Sequence, residues 1–105
     1  MPYEILMGLF VAGQETYAQY RAEIAPLLET AGAGFRYDFD VSRTRKSEAG
    51  VEVNRVFVLR FPDREAKERF FADPRYLAIR ARLFEPSVER SVVIAEYAAR
   101  HLEES

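Results

Sequence analysis

The chain has 105 residues, 49% of them hydrophobic and 30% charged, with 15 Lys and Arg against 17 Asp and Glu for a net charge of −2. That composition gives one domain with one modest core, and it lacks the basic surplus of a general nucleic-acid or anionic-membrane binder. There is no cysteine, which removes disulfides, thiolate metal sites and thiol catalysis together.

The start, Met1-Pro2-Tyr3-Glu4, has no basic leader, and the first apolar run, Ile5 to Ala12, is too short to span a bilayer. A cytoplasmic protein without a membrane partner is expected. From Tyr3 to Val11, Tyr3, Ile5, Met7 and Leu9 alternate with Leu6 and Phe10, so both sides are apolar, as in a central strand. Tyr17, Tyr20, Ile24, Leu27, Leu28 and Ala31 then recur at helical spacing, and Gly32 ends the run. Pro26 interrupts this pattern and predicts a kink or a restart, because proline lacks a backbone donor and clashes with the preceding turn.

From Phe35 the period becomes two: Phe35, Tyr37, Phe39 and Val41 on one face, Arg36, Asp38, Asp40 and Ser42 on the other, a strand with one wet face. Arg43 to Gly50 reads as a hairpin connection and Val53 to Phe61 as a second strand apolar on both sides. Asp63 after Pro62, and Asp73 before Pro74, are helix-start signals, dividing the second helix into one piece carrying Ala66, Phe70 and Phe71 and another carrying Leu77, Ile79, Leu83 and Phe84. Pro86 closes it, Val88 to Tyr97 is the last strand, and residues 98–105 read as a frayed tail. The order β-α-β-β-α-β is the split βαβ, or ferredoxin-like, α+β pattern: a four-stranded antiparallel sheet with its helices on one face.

This residue set bounds the chemistry. The single histidine, His101, lies in the tail, so a Ser-His-Asp triad and a zinc-type site have no residues to be built from, and no metal or cofactor is expected. RNA-recognition domains share the element order, but their third strand carries a glycine-aromatic stacking pattern. Here Arg55-Val56-Phe57-Val58-Leu59-Arg60-Phe61 has no glycine, which argues against RNA. Asp38 and Asp40 share a strand face and fit either paired carboxylates or a solvated edge. The aromatics Tyr17, Tyr20, Phe70, Phe71, Tyr76 and Tyr97 read first as core, since aromatics at helical spacing usually pack there, and otherwise as a ligand pocket whose better rim candidates, by their hydroxyls, are Tyr76 and Tyr97.

Gly32-Ala33-Gly34-Phe35-Arg36, Asn54 through Pro62, and Ala72-Asp73-Pro74-Arg75-Tyr76 together resemble a bacterial family called domain of unknown function thirteen-thirty, within the dimeric α+β barrel superfamily. The resemblance runs from Tyr3 to Tyr97, with Arg60 where the family usually has an acidic residue and Ala33 where it usually has a second glycine. It implies a homodimer and a cleft between sheet and helices, used in relatives by cofactor-free monooxygenases, lactone isomerases and haem-degrading enzymes.

Two readings follow: a small organic molecule held between sheet and helices, with or without cofactor-independent chemistry, and a non-catalytic homodimeric interaction or ligand-sensing module. In the first, Arg36 would orient an anionic group and Asp38 or a tyrosine would handle protons. A homodimer also follows from the faces. Three strands are apolar on both sides, and one layer of helices covers only one side. Arg36 and Asp38 have no ionic partner in the simple hairpin register, so replacing either is expected to leave stability almost unchanged.

Overall fold

Residues 3–11 alternate so regularly that they form β1 (Tyr3–Val11) in the middle of the sheet. A computed structural model of the chain describes residues 1–100; His101 and the rest of the predicted tail lie outside the described residues. After β1 come α1 (Gln14–Thr30), β2 (Gly34–Asp40), β3 (Arg55–Phe61), α2 (Arg64–Ala72), α3 (Pro74–Ile79), a π-helical turn (Arg80–Phe84) and β4 (Val88–Ala98). The sheet order is β2-β3-β1-β4, with every neighbouring pair antiparallel, which is the ferredoxin-like arrangement.

The helices cover one face of this sheet. Ile5, Leu9, Phe57, Leu59 and Phe61 point into a core shared with Tyr17, Ile24 and Leu28 of α1, Phe70 of α2 and Tyr76 of α3. The other face is open and carries the alternate residues: Glu4, Leu6, Gly8 and Phe10 of β1, with Val56, Val58 and Arg60 opposite them. The two helix-start signals are real caps. Asp63 accepts from the Ala66 amide at 2.7 Å, and Asp73 accepts from the Arg75 amide at 2.8 Å, each relieving one of the donors a helix start leaves unpaired. The chain behaves differently at Pro26, where α1 runs on as one helix from Gln14 to Thr30. Pro26 and Ala22, whose carbonyl it deprives of a partner, are both exposed, so water takes over that bond.

Three details depart from simple alternation. The β2–β3 register shifts between Phe35 and Tyr37, so Arg36 is an extra residue opposite β3 and strand parity reverses there. Gly8 is required by a close approach: a Cβ there would lie 2.8 Å from Val53 Cγ1, because the connection before β3 lays Val53 over β1 on the open face. Thr44 holds Val53 in place, its hydroxyl donating to the Val53 carbonyl at 3.0 Å and accepting from the Val53 amide at 2.8 Å. At the far end, the predicted fraying does not begin at residue 98. Ala98 completes β4, and the buried Ala99 donates its amide to Pro2 O at 2.8 Å.

Candidate ligand cavity

The aromatic side chains that the helices bring down on the sheet do not close completely. Between Met7, Phe57 and Leu59 of the sheet and Tyr17, Tyr20, Ile24, Phe71, Tyr76 and Phe84 of the helical layer lies a cavity of about 70 Å³. Its walls are almost entirely apolar, which is the usual make-up of a small-molecule site with a few placed polar groups. At about 30 Å³ per water in the liquid, the volume suits a molecule of a few heavy atoms.

Those polar groups are tyrosine hydroxyls and guanidinium groups. Tyr20 and Tyr76, both buried, share a hydrogen bond of 2.9 Å between their hydroxyls, 56 residues apart in the chain. Burial, then the Tyr76 hydroxyl beside it, push the Tyr20 hydroxyl far above the ordinary tyrosine pKa, so it remains a neutral donor at any working pH. Tyr17 is raised too, by burial, against the opposing pull of Arg21. Arg21 lines the cavity from α1, lying 3.7 Å above the Phe35 ring centroid and donating Nε–H to Tyr17 Oη at 2.7 Å. Arg80, at the start of the π-helical turn, lines it from the other helical segment, 4.7 Å from the Phe84 ring centroid. Such turns recur at functional sites because the wider loop re-aims side chains.

Of the four predicted site residues, one lies in this cavity. Tyr76 is there, as an almost fully buried wall and not as a rim. Asp38 is at its border on the same face. It was expected to lack an ionic partner, yet two arginines grip it bidentately, Arg21 with both contacts at 3.1 Å and Arg55 at 2.8 and 3.0 Å. The hydrogen bonds from Arg55 lead the effects that hold the Asp38 carboxyl at a pKa of about 2, far too low for proton transfer near neutrality. Asp38 is a clamp for Arg21, and the proton-handling role does not fit it. Asp40 meets Arg55 only at 4.0 Å from a largely exposed position, in the predicted cross-strand pair.

Arg36 and Tyr97 are on the other face of the sheet. The parity reversal at the bulge turns Arg36 with Tyr37 and Phe39 to the open side and leaves Phe35, Asp38 and Asp40 on the helix side, so the predicted Arg36–Asp38 pair is split by the sheet. Arg36 donates to Glu4 Oε2 at 2.6 Å, and Arg60 donates to the same oxygen at 2.9 Å and to the Arg100 carbonyl at 2.6 Å. Burial pushes the Glu4 carboxyl up, but hydrogen bonds and charge from Arg36 and its neighbours outweigh it and hold the pKa below the ordinary glutamate value. Tyr97 lies next to this cluster, and burial followed by the Glu4 carboxylate raises its hydroxyl pKa.

Reasoning from sequence therefore missed Arg21 and Arg80. The signal was present: Arg21 stands between Tyr17 or Tyr20 and Ile24 in the apolar stripe of α1, and Arg80 stands four residues after Tyr76 and four before Phe84. A charge within an apolar helical stripe has to be explained by something on the buried side.

Fold and cavity together define a class, a ferredoxin-like α+β domain with an aromatic-lined cavity between its sheet and its helices. The family model for the domain of unknown function DUF1330 matches residues 3–98, and the chain belongs to that family. A protein of unknown function from Rhodopseudomonas palustris, RPA0582, shares the fold with a TM-score of 0.79 at 19% identity, over 95% of this chain and 83% of that one. SnoaB, a cofactor-independent oxygenase from Streptomyces nogalater, gives 0.63 at 18% identity, over 95% and 94% of the two chains. A dabb family protein with a ferredoxin-like fold from Mesorhizobium loti gives 0.57 at 14% identity, over 95% and 98%. No curated protein matches the sequence.

Proposed function

We propose that this protein binds a small organic molecule in the cavity between its sheet and helices, and does so as a homodimer whose subunits meet through the open faces of their sheets. The observation that carries the first part is the cavity itself: an apolar aromatic wall with Tyr20 and Tyr76, which share a hydrogen bond through their hydroxyls, and Arg80 among its lining residues. Burial keeps the Tyr20 hydroxyl protonated, and in this reading the site holds and orients its ligand. If the chain is an enzyme, as its fold relative SnoaB is, the bound molecule supplies the reactivity and the protein supplies position and hydrogen bonds.

The second part rests on the open face. Tyr37, Phe39 and Ile94 are exposed there beside the half-buried Leu6, Phe10, Val56 and Val58, a larger apolar surface than a monomer ordinarily leaves in water. Light scattering over a dilution series is expected to give twice the chain mass of 12.1 kDa, and a monomer at micromolar concentration would refute the dimer. Binding is tested by titrating linear and branched aliphatic compounds of about four to six heavy atoms into labelled protein and following the amide resonances. Saturable shifts at Tyr20, Leu59 and Tyr76 are expected, and a panel that leaves all three unmoved would refute the cavity.

A further inference from the structure

We infer that the ligand is a small carboxylic acid, held with its apolar body between the aromatic walls and its carboxylate against Arg80 and the Tyr20–Tyr76 hydroxyl pair. This rests on the binding role proposed for the cavity and adds the chemistry of what is bound.

The argument is a count of donors and acceptors. The charged groups lining the cavity are Arg21 and Arg80, and no Asp or Glu lines it. Arg21 is already neutralised: all its hydrogen bonds go to the Tyr17 hydroxyl and the Asp38 carboxylate. Arg80 is not. Among the described residues its guanidinium makes no hydrogen bond, and its only carboxylate neighbour is Glu85 at 4.0 Å, a solvent-facing group at the limit of ion pairing. The positive charge of Arg80 also reaches the buried hydroxyls, since it opposes the rise in the Tyr20 pKa.

The hydroxyl pair points the same way. In the Tyr20–Tyr76 hydrogen bond one hydroxyl donates and the other accepts, so the accepting one still has an O–H to give. No second hydrogen bond to either hydroxyl exists among the described residues. The buried hydroxyl pair has the capacity for one more acceptor, and the partly exposed Arg80 guanidinium has no protein acceptor to give up when an anion arrives. One carboxylate answers both, accepting from the guanidinium through charge-assisted bonds and from the tyrosine through a neutral one. A cationic or purely hydrocarbon ligand would leave these donors unpaired. With Arg80 about two-fifths exposed, the carboxylate end would lie toward solvent and the hydrocarbon end inward.

Matched probes that differ only in charge test this: propionate against propionamide and isobutyrate against isobutyramide, titrated by calorimetry or amide resonances into the wild type, Arg80→Gln and Arg80→Lys. The wild type should bind each carboxylate about tenfold or more tightly than its amide, the difference expected of a hydrogen bond to a charged group. Arg80→Gln should weaken the acid far more than the amide and bring the two to near equality, while Arg80→Lys retains part of the preference. Amides bound as tightly as acids by the wild type would overturn the carboxylate assignment and leave the cavity's binding role standing. A preference for acids undiminished in Arg80→Gln would also overturn it. Failure of every probe to bind would remove the binding role and this inference together. Thermal melts of both variants within a few degrees of the wild type confirm that the comparison is between folded proteins.

Discussion

Each face of the sheet holds one carboxylate gripped by two arginines, and the two clusters are built differently. On the helix face Asp38 receives bidentate contacts from Arg21 and Arg55, with about a third of its side chain exposed at the edge of the cavity. On the open face Glu4 is 95% covered and receives Arg36 and Arg60 on a single oxygen. Asp38 is shared between the first helix and the third strand, so it ties a cavity wall, Arg21, to the sheet. Glu4 is held entirely by strands, near one end of the sheet on the face the helices do not cover. Under the proposed function the first cluster would shape the binding site, and the second would make burial of charge in the dimer tolerable by pairing it beforehand.

Removing Glu4 separates the two clusters most sharply. Glu4→Gln leaves Arg36 and Arg60 without an anion on a largely covered surface, and a loss of about 3 kcal/mol is expected, from the range for breaking buried pairs. For a domain of this size that is a fall in Tm of more than about 10 °C, readable by thermal melts. Asp38→Asn is expected to cost about 1–2 kcal/mol, between buried and surface pairs, because water reaches the carboxylate. It should also loosen Arg21 and so weaken probe binding in the cavity, which Glu4→Gln should not do in its folded fraction. Equal stability losses from the two substitutions would contradict the contrast drawn between the faces.

Tyr76→Phe comes next, at about 1 kcal/mol, the ordinary worth of a hydrogen bond, with the Tyr20 hydroxyl left buried and alone. The Asp38 contribution also depends on pH. The folded-state pKa of Asp38, about 2, lies below its usual 3.8, so the unfolded chain binds the proton more readily. The stability from this clamp is fully present above about pH 5 and is lost as pH falls toward 2. Melts of the wild type and Asp38→Asn should therefore differ by a constant amount from pH 7 down to about 5, and converge below pH 4. A gap that stays constant down to pH 2 would show that Asp38 stabilises the fold by something other than its charge.

Much of the fold was legible. The period-two runs of β1 and β3, the Asp63 and Asp73 caps and the split second helix follow from local patterns that the tertiary structure leaves in place. What failed was β2. A single extra residue at Arg36 reverses which side each later side chain faces, and a bulge is set by pairing with β3, which no local pattern reports. That one shift separated Arg36 from Asp38, exposed Tyr37 and Phe39 on the open face, and brought Asp38 within reach of Arg21. Of the site, the aromatic set around Tyr76 was legible, Tyr97 excepted, because β4 turns it to the open face beside Glu4. Arg21 and Arg80 were not recognised, since a charge in an apolar stripe only becomes meaningful once the sheet opposite it is known.

The central claim is that the two faces have different occupants, a small acid under the helices and a second copy of the chain on the open side. The measurement that tests it most directly is a set of amide correlation spectra of the full chain recorded with and without saturating isobutyrate. Shifts are expected at Tyr17, Tyr20, Tyr76 and Arg80, with Glu4, Arg36, Phe39 and Tyr97 unmoved. Shifts centred on Glu4, Arg36 and Tyr97 would place the ligand on the open face and contradict the account.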